Sequence, residues 1–154
     1  MSYLETKELS KIHHTPVRET IRFHGHPVVR AEHATTIEIT TEEHLTENGD
    51  CIVGVGASMG CAGLQAETKA ALRREEAKVT LRIRVREMVF ELKARGDPRL
   101  ELTHPHDMVI RKSPFVSDRT LAVSANAAAV DLPREMVRTL TDPKVSGFLE
   151  IEVV

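Results

Sequence analysis

The sequence predicts an α+β protein that is mainly β, internally duplicated, with two short helices. Three observations support this: apolar and polar residues alternate along several segments, only two segments have helical spacing, and the two halves of the chain resemble each other. The favoured architecture is a pseudo-two-fold, two-sheet sandwich or partly closed barrel. A closed barrel of two interlocked ββαβ halves is the alternative.

The repeat appears at two offsets. Shifted by 71 residues, the Gly-x-Pro turn at Gly25 aligns with the turn at Gly96, and His33 aligns with His104. Shifted by 68 residues, residues 50–86 match the second half at nine positions, where chance gives roughly two. The change of offset falls in a segment expected to be a loop, and loops absorb such changes.

These offsets divide the chain into a polar N-terminal extension (residues 1–15) and a single domain (residues 16–154). The domain consists of two repeat units, residues 16–86 and 87–154. Each unit is predicted to contain a strand, the Gly-x-Pro turn, one or two short strands, a loop, a strand, a helix and a final strand, which gives ten or so strands in all.

The strand pattern is clearest where the units meet. Apolar residues alternate with polar ones from Val79 to Val85, and the apolar parity then switches at Arg86-Glu87. The switch predicts a tight hairpin that joins the two units. Arg82 and Arg84 align with Glu150 and Glu152, so neighbouring final strands would bring opposite charges together; solvation of both faces is the simpler alternative.

Helices are predicted at residues 63–75 and 132–140. Asp131 is expected to be the N-cap of the second helix, and Pro133 suits its first turn because proline has no N–H to lose there. The Thr-Asp-Pro sequence at residues 141–143 is expected to end that helix.

Composition narrows the function classes. No apolar run approaches the ~18 residues of a membrane helix, and the N-terminus has no apolar signal segment, so we expect no membrane insertion. A net charge of −2 and 3% aromatic residues argue against nucleic acid as a partner. Two cysteines do not form a disulfide framework, which favours a cytoplasmic location.

The chain resembles an archaeal family in three motifs. These are the His-x-Thr-Thr-x-Glu-x-Thr run from His33, the Leu-Thr at Leu45 followed by Gly-Asp-Cys-Ile, and the Arg-Lys-Ser at Arg111. They resemble the archaeal domain-of-unknown-function family three-seven-one over nearly the whole chain from about Val17. The resemblance implies a mainly-β, sandwich-like domain in archaeal cytoplasm, and it implies no activity or catalytic residue.

Histidines are candidates for a metal or proton-transfer site. His24 and His26 are two residues apart and would point the same way on an extended segment, with His33 as a third ligand for a divalent metal such as zinc. His104 and His106 repeat this spacing, followed by Asp107. The alternative is that these histidines cap turns by bonding to the backbone. The sequence does not decide whether His33 and His104 share one site.

An anion site is predicted in the second unit. Arg111, Lys112 and Arg119 surround a turn, and such groups bind phosphate or carboxylate. The threonines at 35 and 36 add hydroxyls that could contact a polar ligand, although threonine is also a common strand residue. A solvated basic turn is the simpler interpretation.

A cysteine and a loop of small residues are two further features. Cys61 lies near the start of a predicted helix, where a thiol pKa falls, which would favour a nucleophile, whereas Cys51 is expected in the core. The loop from Gly54 to Gly63 lacks the spacing of a dinucleotide-binding fingerprint, so its small residues indicate close packing.

The sequence therefore favours a small cytoplasmic ligand-binding protein or enzyme, and leaves open whether it is an enzyme. The predicted site combines His/Asp with Arg/Lys side chains and takes an anionic small molecule or a metal. The predicted ligand-binding residues are His33, Thr35, Thr36, His104, His106, Asp107, Arg111, Lys112 and Arg119. The alternatives are a nucleic-acid or ribonucleoprotein accessory module, and a structural or homo-oligomeric protein without a small ligand.

Overall fold

The protein folds into two four-stranded sheets, as seen in a computed structural model that describes residues 15–154. Sheet A is antiparallel, with strand order β1-β8-β4-β5. Its strands are β1 (Val17–His24), β4 (Lys78–Val85), β5 (Met88–Arg95) and β8 (Ser146–Val153). The final strands of the two units, β4 and β8, are neighbours at the centre of this sheet.

Sheet B has the order β3-β2-β6-β7. Its strands are β2 (Thr36–Thr40), β3 (Ile52–Gly54), β6 (Asp107–Arg111) and β7 (Thr120–Ala122). The central pair β2–β6 is antiparallel, and each outer pair is parallel. The structure thus describes eight strands within residues 15–154, fewer than the ten or so predicted, because each Gly-x-Pro turn leads into irregular backbone.

The two sheets meet at two edges through single bridges. Residues His24 and Val55 exchange two backbone hydrogen bonds of 2.9 and 3.0 Å, and Arg95 and Val123 do the same at 2.8 and 2.9 Å. One bridge at each edge does not continue the ladder, so the closed barrel considered as an alternative is not formed. The two-sheet, mainly-β architecture is confirmed.

Both helices are shorter than predicted. They are α1 (Ala66–Leu72) and α2 (Arg134–Thr139), and a 3₁₀ turn precedes each one, at Cys61–Gly63 and Ala129–Asp131. The prediction that Asp131 caps α2 is wrong. Its carboxylate accepts a hydrogen bond from the Ala128 N–H (2.9 Å) and thereby closes the 3₁₀ turn.

The hairpin between the units is confirmed. Strands β4 and β5 pair along their full length across the two-residue turn Arg86-Glu87, where Arg86 has a φ of 56°. Strands β4 and β8 are neighbours, and the charge pairing considered for that case is formed, although solvation of both faces was the simpler interpretation. Arg84 pairs with Glu150, and an Arg82 nitrogen lies 3.6 Å from a Glu152 oxygen.

The repeated Gly-x-Pro turns have a shared structural role. A Cβ added to Gly25 would lie 2.3 Å from the Leu140 carbonyl oxygen at the end of α2, and one on Gly96 would lie 2.1 Å from the Leu72 oxygen at the end of α1. Each glycine therefore allows its turn to lie against the helix of the other unit. If the aligned strands of the two units are treated as equivalent (β1 with β5, β4 with β8, β2 with β6 and β3 with β7), the strand order of each sheet is the same read from either end. A duplicated chain would show these features, and the duplication itself stays a prediction.

The core between the sheets contains different side chains at three aligned positions of the two units. Phe23 fills space that Gly54 and Gly147 leave open, since a Cβ on either glycine would lie within 2.4 Å of its ring. The aligned residues in the other unit are Ala94, Ala122 and Val79, all buried. The first set has one phenylalanine and two glycines, and the second has two alanines and one valine. The total side-chain volume packed in the core is therefore similar in both sets.

Candidate functional site

The candidate site lies on the face of sheet B that points away from the core. On β2, Ile37 and Ile39 are core residues, so the alternate residue Glu38 points to the opposite face. The register places Glu38 directly opposite Val109 of β6. The same alternation puts Asp107 and Arg111 on this outer face.

A cluster of ionisable side chains occupies this face. The Nη1 atom of Arg119 lies 3.2 Å from Glu38 Oε1 and 3.2 Å from Asp107 Oδ2. The Nε2 atom of His104 lies 3.8 Å from the same Asp107 oxygen. We call these four residues the Arg119 cluster. One guanidinium nitrogen thus holds two carboxylates that come from neighbouring strands.

The carboxyl group of Glu38 is the unusual member of the cluster. Only 7% of its side chain is exposed. Burial raises the pKa of Glu38 to about 7, the Asp107 charge adds to the increase, and the Arg119 and Arg111 charges oppose it. A carboxyl group with a pKa near 7 can both donate and accept a proton at neutral pH.

Arg111 forms the other side of the site. Its Nε donates to the Thr120 hydroxyl (2.9 Å), its Nη2 donates to the Ser117 hydroxyl (3.2 Å), and its guanidinium carbon lies 5.0 Å from the centre of the Phe115 ring. Partial burial and the neighbouring Arg119 charge lower the pKa of Arg111, against the attraction of Glu38. Arg111 is therefore a fixed cation, oriented by hydroxyls rather than by a carboxylate.

The two aligned histidines cap equivalent turns. The Nδ1 atom of His33 accepts hydrogen bonds from the N–H groups of Thr35 (3.2 Å) and Thr36 (3.1 Å). The Nδ1 atom of His104 accepts from the N–H groups of His106 (3.1 Å) and Asp107 (2.9 Å). Since an accepting ring nitrogen carries no proton, both rings are held as the Nε2–H tautomer. The recurring histidine thus has a backbone role in both units.

The same turns connect the two units. The His33 carbonyl accepts a hydrogen bond from Val130 N–H (3.0 Å), and the His104 carbonyl accepts from Ala62 N–H (2.9 Å). Val130 and Ala62 belong to the 3₁₀ turns of the opposite units. Only His104 has an acidic partner in the Arg119 cluster, so the aligned histidines share a structural role and differ in their surroundings.

The remaining predicted ligand-binding residues lie at the margin or elsewhere. His106 is beside His104, with ring centres 6.2 Å apart, and its Nδ1 lies 2.6 Å from the Thr41 hydroxyl. The Thr36 hydroxyl and the more distant Thr35 hydroxyl face the His33 ring. Lys112 lies 3.9 Å from an Asp131 oxygen and has no contact with the cluster.

The predicted metal ligands serve local contacts. His24 bonds through Nε2 to Glu43 (2.7 Å) and through Nδ1 to the Gly25 carbonyl (2.8 Å), and His26 Nδ1 accepts from Val28 N–H (3.1 Å). The structure does not bring His24, His26 and His33 together. Within residues 15–154, no three His, Cys, Asp or Glu side chains are arranged to hold a metal ion.

The cysteines do not form a nucleophilic site. Cys61 is fully buried, and burial raises the pKa of its thiol to about 12, so the expectation of a lowered pKa is wrong. The short 3₁₀ turn that contains it does not expose the sulfur to solvent. Cys51 is only partly buried, and desolvation raises its pKa to about 11.

The outer face of sheet B is where the aligned positions of the two units differ in chemistry. The aligned pairs are Thr36 with Asp107, Glu38 with Val109, Thr40 with Arg111, and Cys51 with Arg119. The inward positions of the same strands are apolar in both units. Glu38 is the site residue that was not predicted from the sequence. The sequence does contain a signal for it, since Glu38 is a carboxylate in a strand and the aligned residue of the other unit is Val109.

The fold and this site define a mainly-β, two-sheet protein with a buried carboxyl group beside a shared arginine. The chain belongs to the family described as "Domain of unknown function (DUF371)", whose profile matches residues 21–154. It is also 40% identical over 124 residues to the uncharacterized protein MJ0206 of Methanocaldococcus jannaschii, an alignment that covers 80% of this chain and 91% of the relative. The expected family is therefore confirmed. In residues 15–154 no helix has the length and apolar character needed to cross a membrane.

Proposed function

We propose that this protein binds a small anionic molecule at the outer face of sheet B and exchanges a proton with it, as a cytoplasmic ligand-binding protein or enzyme. The observation that carries the proposal is the Arg119 cluster, in which one guanidinium nitrogen contacts a buried and a partly buried carboxylate. Association with a second copy of the chain stays a prediction.

Arg119 supplies the anion-binding group. Both carboxylates contact the same nitrogen, Nη1, and 43% of the side chain is exposed. The other guanidinium nitrogens have no carboxylate contact within residues 15–154, so they remain able to donate to a carboxylate or phosphate group of a ligand. Arg111 adds a second positive charge on the same face, which further favours an anion.

Glu38 supplies the proton. With a pKa of about 7 it is partly protonated at neutral pH, and once ionised its charge is stabilised by Arg119. Asp107 shares Arg119 and is itself oriented by His104. A metal cation fits this cluster less well than an anion, because the guanidinium of Arg119 already neutralises one carboxylate.

Ligand binding can be tested by thermal unfolding with inorganic phosphate or acetate as the probe, using chloride at equal ionic strength as the reference. A ligand at about ten times its Kd stabilises the folded protein by about 1.4 kcal/mol, which raises Tm by about 3–6 °C for a chain of this size. Arg119→Gln should abolish this increase. Arg99→Gln should preserve it, because Arg99 is also paired with a carboxylate, that of Asp97, which is not part of the cluster.

Proton exchange needs a separate measurement. Calorimetric titration of the same probe in buffers of different ionisation enthalpy gives the number of protons taken up or released on binding. We expect a fractional proton exchange near pH 7 that disappears in Glu38→Gln. If no probe stabilises the wild-type protein, or if Arg119→Gln responds as the wild type does, this proposal is wrong.

A further inference from the structure

A second surface, independent of the Arg119 cluster, lies on the outer face of sheet A next to the β4–β5 hairpin. Its centre is Phe148 of β8, a phenylalanine that is 39% exposed. The register places Phe148 opposite Arg22 of β1 and Arg84 of β4. Since neighbouring strands are about 4.8 Å apart, one arginine flanks the ring on each side, and the two are about 10 Å apart.

A shallow depression adjoins the ring. It has a volume of about 440 Å³ and is lined by Arg84, Arg86, Lys144, Val145, Ser146 and Phe148. We call Arg22 and these six residues the Phe148 surface. An exposed aromatic ring and four positive side chains thus share one end of the sheet.

Most of these positive charges are not neutralised. Arg22 donates to the Ser146 hydroxyl through Nε (3.3 Å) and Nη2 (3.0 Å), and within residues 15–154 no carboxylate pairs with it. The same part of the chain provides no ion-pair partner for Arg86 or Lys144. Arg84 is paired with Glu150. The nearby Asp142 carboxylate accepts the backbone N–H of Lys144. The surface therefore keeps an excess of positive charge although the whole chain carries a net charge of −2.

The opposite end of the same sheet shows that the fold does not require these side chains. At an offset of 68 residues, Arg84 aligns with Glu152, Arg86 with Val154, Lys144 with Glu76, and Phe148 with Thr80. That end has the same backbone arrangement but carries acidic side chains at two of these positions, and Arg18 and Arg82 both contact Glu152 there. Among residues 15–154, an exposed aromatic ring stands beside unpaired positive side chains at the Phe148 end of sheet A and not at the opposite end.

We propose that the Phe148 surface binds single-stranded nucleic acid. An unpaired base stacks on the exposed Phe148 ring, and Arg22, Arg86 and Lys144 contact the phosphates on either side. A duplex fits less well because its bases are already stacked and paired, so that the ring would have no partner. The low aromatic content and the acidic net charge argue against extended polyanion binding. They do not argue against a short site built on one ring.

The test is fluorescence anisotropy with labelled ten-nucleotide strands, oligo(U) and oligo(dT), at about 50 mM salt. Base stacking contributes about 1–3 kcal/mol, so Phe148→Ala should weaken binding by about 5- to 150-fold, whereas Phe148→Tyr should retain most of it. Phe115→Ala is the matched control, because Phe115 is also exposed but lies next to Arg111 at sheet B. It should bind as the wild type does.

Salt dependence tests the phosphate contacts. Three neutralised phosphates give a slope of log K against log salt of about −2, and replacing Arg86 or Lys144 by Ala should reduce that slope by about 0.7. The inference is overturned by any of four results: no binding, equal binding of a duplex, competition by uridine monophosphate as effective as that of the strand, or Phe148→Ala binding as well as Phe115→Ala. Circular dichroism of both variants checks that they are folded.

Discussion

Replacing Glu38 with Gln should change how stability depends on pH. The pKa of Glu38 rises from 4.5 in the unfolded chain to about 7 in the folded protein. Between these values the folded protein holds a proton that the unfolded chain has lost, so the free energy of unfolding falls as pH increases. A difference of roughly 2.5 pKa units at about 1.4 kcal/mol per unit gives a loss of roughly 3 kcal/mol, complete above pH 7.

Glutamine has nearly the shape of a protonated glutamate and cannot ionise. Glu38→Gln should therefore be more stable than the wild type by only about 1 kcal/mol at pH 5, and by roughly 3 kcal/mol at pH 8. Urea unfolding from pH 5 to 8 measures this, followed by far-UV circular dichroism because the chain has no Trp and one Tyr.

The control is Glu135→Gln, a change at an exposed residue of α2. The difference between this variant and the wild type should stay constant over the same pH range. If the difference between Glu38→Gln and the wild type also stays constant, within about 0.5 kcal/mol, then Glu38 is ionised throughout and the assignment of a protonated buried carboxyl is refuted.

Two further predictions concern the framework of the fold. Gly54→Ala should destabilise the protein by about 1–3 kcal/mol, because the new Cβ would lie 2.0 Å from a Phe23 ring atom. This loss of stability should be smaller when Phe23 is also replaced by Ala. An equal loss with and without Phe23 would contradict the packing argument. His33→Ala and His104→Ala should each lower the free energy of unfolding by about 1–2 kcal/mol, because two backbone N–H groups lose their acceptor. His33→Asn should lower it less, since an asparagine side chain can also accept from these groups. Replacing the exposed His44 by Ala should leave it almost unchanged. Urea midpoints measure these differences, and a neutral His33→Ala would show that its hydrogen bonds contribute little.

Much of the fold could be predicted from local patterns. The parity switch at Arg86-Glu87 predicted the hairpin, because the alternation of a strand has a period of two. The alignment of Arg82 and Arg84 with two glutamates was compatible with neighbouring final strands but did not predict them, since solvated faces show the same charges. The helix boundaries could not be predicted. The 3₁₀ turns before α1 and α2 are held by carbonyls of the opposite units, and such contacts leave no local signal.

The candidate site could be predicted in part. The residue types and spacing predict His104, Asp107, Arg111 and Arg119, which the structure places on or beside one face. Glu38 could not be predicted, because a single glutamate in a strand is normally expected to point into solvent. The recurrence of His33 suggests a function, but its ring accepts hydrogen bonds within its own turn. Burial separates these two cases, because the Glu38 side chain is 7% exposed whereas His33 is only partly buried.

The turns that contact the opposite unit have a consequence for how the protein unfolds. Each Gly-x-Pro turn rests on the helix of the other unit, and each histidine carbonyl holds the other unit's 3₁₀ turn. Strand β8 also lies between β1 and β4, both of the first unit. Neither unit therefore contains a complete set of partners for its own backbone. The two predicted units meet at Arg86-Glu87 in the sequence, but neither should fold or unfold without the other. Residues 16–86 and 87–154 should therefore unfold together in one transition.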